Sequence, residues 1–183
     1  MKDFKIMRTF CRILVLAIVI ATISCHKDKK PETLTGEAVD LNHTDSRSEV
    51  EFSDKSIQEI YNIYLDMKAG LVNSDAEVVR SLSEKMENIL KDSEENKQLK
   101  ATLKLISLTK DIKKQRDFFV TITDEVGKAI SMAQITSGEI YKQYCPMAFD
   151  GSGGYWLSDS EEIRNPYFGK KMLKCGSVKE TIK

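Results

Sequence analysis

The sequence predicts a mainly α fold, an antiparallel four-helix bundle carrying a small C-terminal β-hairpin and loop appendage. Three observations predict it. Apolar residues recur at helical spacing in four successive segments between Ile57 and Ile130. The connections between those segments are short and polar, which favours antiparallel neighbours. Beyond Ser137-Gly138 the pattern changes to short alternating aromatic runs around a glycine-rich turn.

The chain opens with a segment outside that fold. Lys2, Lys5, Arg8 and Arg12 precede an almost unbroken apolar run from Ile13 to Ile23. The run is shorter than the roughly 20 residues a membrane-spanning helix needs, but it suits the core of a secretory signal. It ends in Ala21-Thr22-Ile23-Ser24-Cys25, which resembles a bacterial lipobox with Thr22 in the place usual for leucine. Residues 1–24 are therefore expected to be a lipoprotein signal peptide and Cys25 the lipidated residue, with an ordinary signal peptide or a retained anchor as alternatives. The protein is expected to be exported and membrane-anchored, in the periplasm or at the outer membrane. Residues 25–51 are rich in Asp, Glu, Ser, Thr and Lys and poor in large apolar residues, so a flexible tether is expected there.

The folded domain is expected over residues 52–183. Ile57, Ile60, Tyr61, Tyr64, Leu65 and Leu71 mark a first helix, with Ser53 or Asp54 as its N-cap. Asn73-Ser74-Asp75 ends it and caps a second, whose stripe is Val78, Val79, Leu82, Met86, Ile89 and Leu90. The charged stretch from Lys91 to Lys97 makes a turn. A third helix carries Leu99, Leu103, Ile106 and Leu108. Thr109-Lys110-Asp111 caps a fourth with Ile112, Phe119, Ile122, Val126, Ala129 and Ile130. Met67, Met86 and Met132 fall at helical positions and are expected in the core.

The tail, about residues 138–183, reads differently. Ile140 to Tyr144 and Tyr155-Trp156-Leu157 are short extended runs joined through Gly151-Ser152-Gly153-Gly154, a hairpin pattern. That glycine-rich turn lacks the Lys-Ser/Thr of a phosphate loop. Trp156 and Tyr155 are expected to cover a small core, and Asp159, Glu161 and Glu162 to form a solvated loop face. Arg116 has two expected fates, simple exposure or a reach across to the carbonyls of the tail loop.

Cysteine and histidine usage narrows the chemistry. Of four cysteines, only Cys145 and Cys175 belong to the expected fold, and both histidines, His26 and His43, precede it. Without histidine the commonest general base and metal ligand is missing, and no nucleophile–base pair or cofactor loop is visible, so no enzymatic role is expected. Lys and Arg total 28 and so do Asp and Glu, which offers no basic stripe for nucleic acid.

Two segments remain that carry chemistry. Cys145-Pro146-Met147 and Met172-Leu173-Lys174-Cys175 each set one thiol near one thioether. Brought together, Cys145, Met147, Met172 and Cys175 make a soft sulfur set suited to Cu(I) or Ag(I). The competing readings are a plain Cys145–Cys175 disulfide, common in exported domains, with Met147 and Met172 as adaptable core fillers, and a pair of free or redox-active thiols.

Gln143-Tyr144-Cys145-Pro146-Met147-Ala148, Trp156-Leu157-Ser158, Ile163 to Gly169, Lys171-Met172-Leu173 and Cys175-Gly176 together resemble a bacterial exported domain of unknown function. That domain also occurs at the C-terminus of periplasmic adaptor (membrane fusion) subunits of heavy-metal efflux pumps. The resemblance covers about Ile57 to Ile182 and is most specific in the tail. In the helical part, Asp111-Ile112 and Gln115-Arg116 carry it. It implies copper or silver handling and an efflux adaptor or other envelope protein as partner. Related sequences carry histidines in the third and fourth helices where this chain has Leu105, Lys114 and Phe118. That departure disfavours Zn²⁺ and Cu(II) and leaves Cu(I) or Ag(I). Two functions follow as expectations, a Cu(I)/Ag(I)-binding accessory of efflux and a disulfide-stapled, metal-independent interaction module.

Overall fold

A computed structural model describes residues 39–183. The expected signal segment with Cys11, and residues 25–38 of the expected tether with Cys25 and His26, lie outside the described residues. Four helices follow the sequence pattern closely: α1 Lys55–Asn73, α2 Ala76–Ile89, α3 Lys97–Ser107 and α4 Ile112–Ser131. Aspartates start three of them. The Asp54 carboxylate accepts from the Ser56 N–H, Asp75 from Val78 and Asp111 from Lys113 and Lys114, satisfying donors that a helix start leaves unpaired. α1 stops where Ser74 turns left-handed, at φ 61°, and its N–H returns to the Leu71 carbonyl.

Each helix packs on the next in sequence, and α4 also packs on α1. Tyr64, Met67, Leu71, Met86, Leu103, Ile106, Phe119 and Ile122 are fully buried between them. Gly70 is required at the α1–α2 contact, since a Cβ there would lie 2.8 Å from a Val79 methyl. The expected stripes hold with four exceptions. Leu108 is 72% exposed and Met132 is 78% exposed, each lying one residue past its helix, where the chain has left the inward face. Val78 and Ile89, at the two ends of α2, are exposed beside the buried Val79 and Leu90, which take the inward positions.

The β part is larger than the expected hairpin. β3 Ile140–Cys145 and β4 Gly154–Ser158 pair antiparallel as the alternation indicates, with Gln143 opposite Trp156 and Tyr144 opposite Tyr155. A further strand, β5 Ser177–Ile182, pairs with the other edge of β3, giving the order β4-β3-β5. A separate two-stranded ribbon joins β1 Glu51–Phe52 to β2 Ile135–Ser137. The sheet packs on the helices through β4 and α4. Trp156 is fully buried there, whereas Tyr155 is 41% exposed and stacks on Tyr144 instead of covering the core.

Residues 39–50 are part of the fold, although the expected boundary is residue 52. Residues 39–50 form an arm held mainly by hydrogen bonds, which a composition argument based on apolar burial does not register. The Leu41 N–H donates to Asn73, Asp45 N–H to Glu162, and Ser48 N–H to the Asp159 carbonyl. Arg164 donates to the carbonyl of His43, an exposed residue that is part of the ordered fold. Asp159 is buried beside Arg47 at 3.7 Å. The expected solvated face of Asp159, Glu161 and Glu162 is thus the place where the arm docks.

A lysine lies inside this junction. Lys68, on the inward face of α1, is fully buried and donates to Asn42 Oδ1 at 3.1 Å and Ser158 Oγ at 3.4 Å. Burial pulls its pKa down to about 8, although Asp159 draws it the other way.

Candidate functional site: the paired cysteines and the adjoining cleft

β3 delivers Cys145 to the tail at its last residue, pointing inward and completely buried. The chain then turns through Pro146 to Gly153, with the Ala148 N–H on the Cys145 carbonyl. Phe149 and Asp150 both sit at positive φ, 52° and 54°, a conformation that costs energy for side chains of this kind. Gly153, at φ 80°, passes directly under Tyr144, where a Cβ would lie 2.0 Å from the phenol oxygen.

Cys175 arrives from the other side, just before β5. Asn165 sets its position. This fully buried amide donates to the Cys175 carbonyl at 2.7 Å and accepts from the Tyr167 and Phe168 N–H groups. Its own N–H bonds to the Leu173 carbonyl. Gln143 plays the matching part on β3. Its Oε1 accepts from Trp156 Nε1 at 2.6 Å and its Nε2 donates to the Ser160 carbonyl. Both amides use donor and acceptor together, which is why a polar side chain is tolerated at full burial. Neither role is visible in the sequence pattern alone; for Gln143 the available signal is a polar residue at an inward position of an alternating strand.

The two sulfurs face each other at 2.6 Å across 30 sequence positions. Contact with Cys145 raises the pKa of the Cys175 thiol, and burial adds to this, against a smaller lowering by the Met147 N–H. A raised thiol pKa suits a structural cysteine better than a nucleophile. The thioethers do not converge equally. Met147 is 57% exposed, and Met172 is half-buried in the helical turn Gly169–Met172. Two thiolates sharing one ion at metal–sulfur bonds of about 2.3 Å stand roughly 4 Å apart. As placed, the pair has the proximity for a direct bond, and a metal requires the sulfurs to part. Among the described residues no group of three or more His, Cys, Asp or Glu side chains is placed to hold a metal, so a metal reading rests on sulfur.

Arg116 takes the second of its two expected fates. From α4 its Nε donates to the Pro166 carbonyl at 2.8 Å, while Nη2 donates to the Leu71 carbonyl and Ser74 Oγ. One planar guanidinium thereby brackets the tail loop against the end of α1. Beside this bracket, α4 and the tail enclose a cleft of about 540 Å³ floored by Phe149, Tyr167 and Phe168. Tyr167 is locked by its hydroxyl on the Tyr155 carbonyl and by edge contacts with Trp156 and Phe149.

Residues 60–138 match a family described as a protein of unknown function (DUF3347). The match begins within α1 and ends after β2, before the tail that holds Cys145 and Cys175. No curated protein and no solved structure matches the chain.

Proposed function

We propose that the domain is a disulfide-stapled, metal-independent interaction module, carried outside the cytoplasm on a lipid-anchored chain. The observation that carries this reading is the 2.6 Å apposition of Cys145 and Cys175, one of them completely buried. An oxidising compartment converts such a pair to a disulfide, and the exported, Cys25-anchored state expected from the N-terminus supplies that compartment. The staple closes the segment holding β4, Asn165 and the aromatic cleft, so it stiffens a surface rather than a catalytic centre. Four antiparallel helices in an up-and-down bundle form its base. The partner in this reading is an efflux adaptor or another envelope protein, as the sequence resemblance implies. Thermal melting of the oxidised domain with and without reductant tests the staple. A clear fall in melting temperature is expected, and no change overturns it.

A second reading applies to the reduced protein, a Cu(I)/Ag(I)-binding accessory of heavy-metal efflux. It is favoured by the Met147 backbone lying against the Cys175 sulfur, which brings a Cys-x-Met segment to the thiol pair. Cys145 and Cys175 would bind as thiolates, with Met147 or Met172 adding a thioether once the sulfurs part. Competition for Cu(I) against a chelator, with Cys145→Ser/Cys175→Ser alongside, separates the two. Equal and poor competition by both proteins leaves only the staple.

A further inference from the structure

We propose that the cleft between α4 and the tail is the docking site of this module, and that it takes an acidic peptide segment bearing one apolar anchor residue. This rests on the interaction-module reading and adds the chemistry of the partner. The cleft holds about 540 Å³, enough for a large side chain and its flanking backbone. Phe149, Tyr167 and Phe168 supply the apolar floor and the exposed Met147 part of the wall. A concave aromatic site of this size receives a projecting side chain, whereas a bilayer surface presents nothing to fill it.

Charge chooses the flanks. Lys113, Arg116 and Lys171 line the cleft against Asp117 and Asp150. Lys110, Lys114 and Lys170 are exposed nearby in sequence, where Asp111 is the one added carboxylate and is occupied in capping α4. Counting these residues gives six cations against three carboxylates. The rest of the fold has the opposite balance. Residues 39–163 hold 15 basic and 23 acidic residues, whereas residues 164–183 hold six and one. Positive charge is therefore gathered on the last twenty residues of an otherwise acidic domain, which bring Lys171 to the cleft and Lys170 beside it in sequence, and steering of an acidic partner to this end follows.

Arg116 apart, which holds the tail through hydrogen bonds, none of these cations forms an ion pair that holds the fold among the described residues. Among the described residues, Lys110, Lys113, Lys114, Lys170 and Lys171 make no salt bridge, although Lys97, Lys100, Lys128, Lys142 and Lys183 each do. Lys113 and Lys114 also occupy the first turn of α4, which has no acidic residue and where the helix dipole disfavours cations. A local rule broken with only the Asp111 cap to offset it is the pattern expected of a binding surface. The walls are already fixed by the Arg116 bracket, the Tyr167 contacts and the cysteine pair, so little ordering is needed when a ligand enters.

The test is a titration of oxidised, isotope-labelled protein with blocked peptides in which Phe or Leu is flanked by two glutamates on each side. Counterparts with lysine replacing glutamate, and vesicles of phosphatidylglycerol mixed with phosphatidylcholine, run in parallel. Amide shifts are expected at Met147–Asp150, Phe168–Lys171 and Lys113 with the acidic peptides alone, weakening as salt rises. Lys113→Glu/Lys171→Glu should weaken binding about fivefold or more while melting no lower than wild type, because the dipole conflict at α4 is relieved. The proposal is overturned by an absence of cleft shifts with every acidic peptide. Shifts that survive the charge reversal, or binding to vesicles alone, overturn it too. Staple and cleft fail separately: acidic-peptide binding by a protein whose cysteines are unlinked removes the staple and keeps the cleft, and a linked protein without cleft shifts does the reverse.

Discussion

Replacing Lys68 by methionine tests whether a buried cation fastens the N-terminal arm to the fold. The native amine has a pKa of about 8 against the ordinary 10.5, and burial is the main cause. Between those values the unfolded chain holds a proton that the folded chain has released. Stability therefore rises with pH through that window, and below pH 8 the full penalty of a buried charge is present. The gap of 2.5 units corresponds to about 3 kcal/mol. Methionine removes that penalty but leaves Asn42 Oδ1 without its donor, at a cost of roughly 1 to 3 kcal/mol. At neutral pH the two nearly offset, so a single stability measurement decides little. The pH dependence decides it. Urea unfolding of both proteins at pH 7.5 and pH 10 should show the wild type gaining about 2 kcal/mol on Lys68→Met between the two conditions. A wild-type advantage that does not change with pH would refute the buried, partly discharged amine.

Two further substitutions probe how the tail is held. Arg116→Ala removes the donors for Pro166, Leu71 and Ser74 and should lower stability by about 2 to 3 kcal/mol in urea unfolding. Arg116→Lys should recover only part of this, since an ammonium cannot reproduce the planar fork. Gly153→Ala should be more damaging than its size suggests, because it combines a positive φ with a Cβ 2.0 Å from Tyr144 Oη; loss of the Tyr144–Tyr155 pairing in near-ultraviolet circular dichroism would report it.

Much of this architecture could be read from residue order. Asp54, Asp75 and Asp111 each announce a helix start, and most of each apolar stripe that follows is buried as its spacing indicates, with Val78, Ile89, Leu108 and Met132, at or just past helix ends, left exposed. The β3–β4 hairpin follows from alternation around Gly151 to Gly154. Other parts escaped because their order comes from distant partners. β5 is a charged, exposed run, Ser177-Val178-Lys179-Glu180-Thr181-Ile182, and its strand character comes from pairing with β3. The arm at residues 39–50 is polar enough to read as tether, yet it meets Asn73, Asp159, Glu162 and Arg164 through hydrogen bonds. Lys68 reads as a surface residue in any pattern of apolar spacing, and only Asn42 and Ser158, both remote in sequence, make its burial tolerable. At the candidate site the sequence brought Cys145 and Cys175 forward as a pair. The exposed Met147 and the organising role of Asn165 depend on the folded turn and were not legible.

The staple itself is open to direct chemistry. Closing the 30-position span between Cys145 and Cys175 should add about 3 to 4 kcal/mol on the chain-entropy account, or roughly 10 °C in melting temperature for a domain of this size. Protein recovered from an oxidising compartment is denatured, alkylated without reductant, digested and weighed. Neither Cys145 nor Cys175 should be alkylated, and one linked peptide should join them. Full alkylation of both cysteines, in protein whose melting temperature matches that of Cys145→Ser/Cys175→Ser, would contradict it.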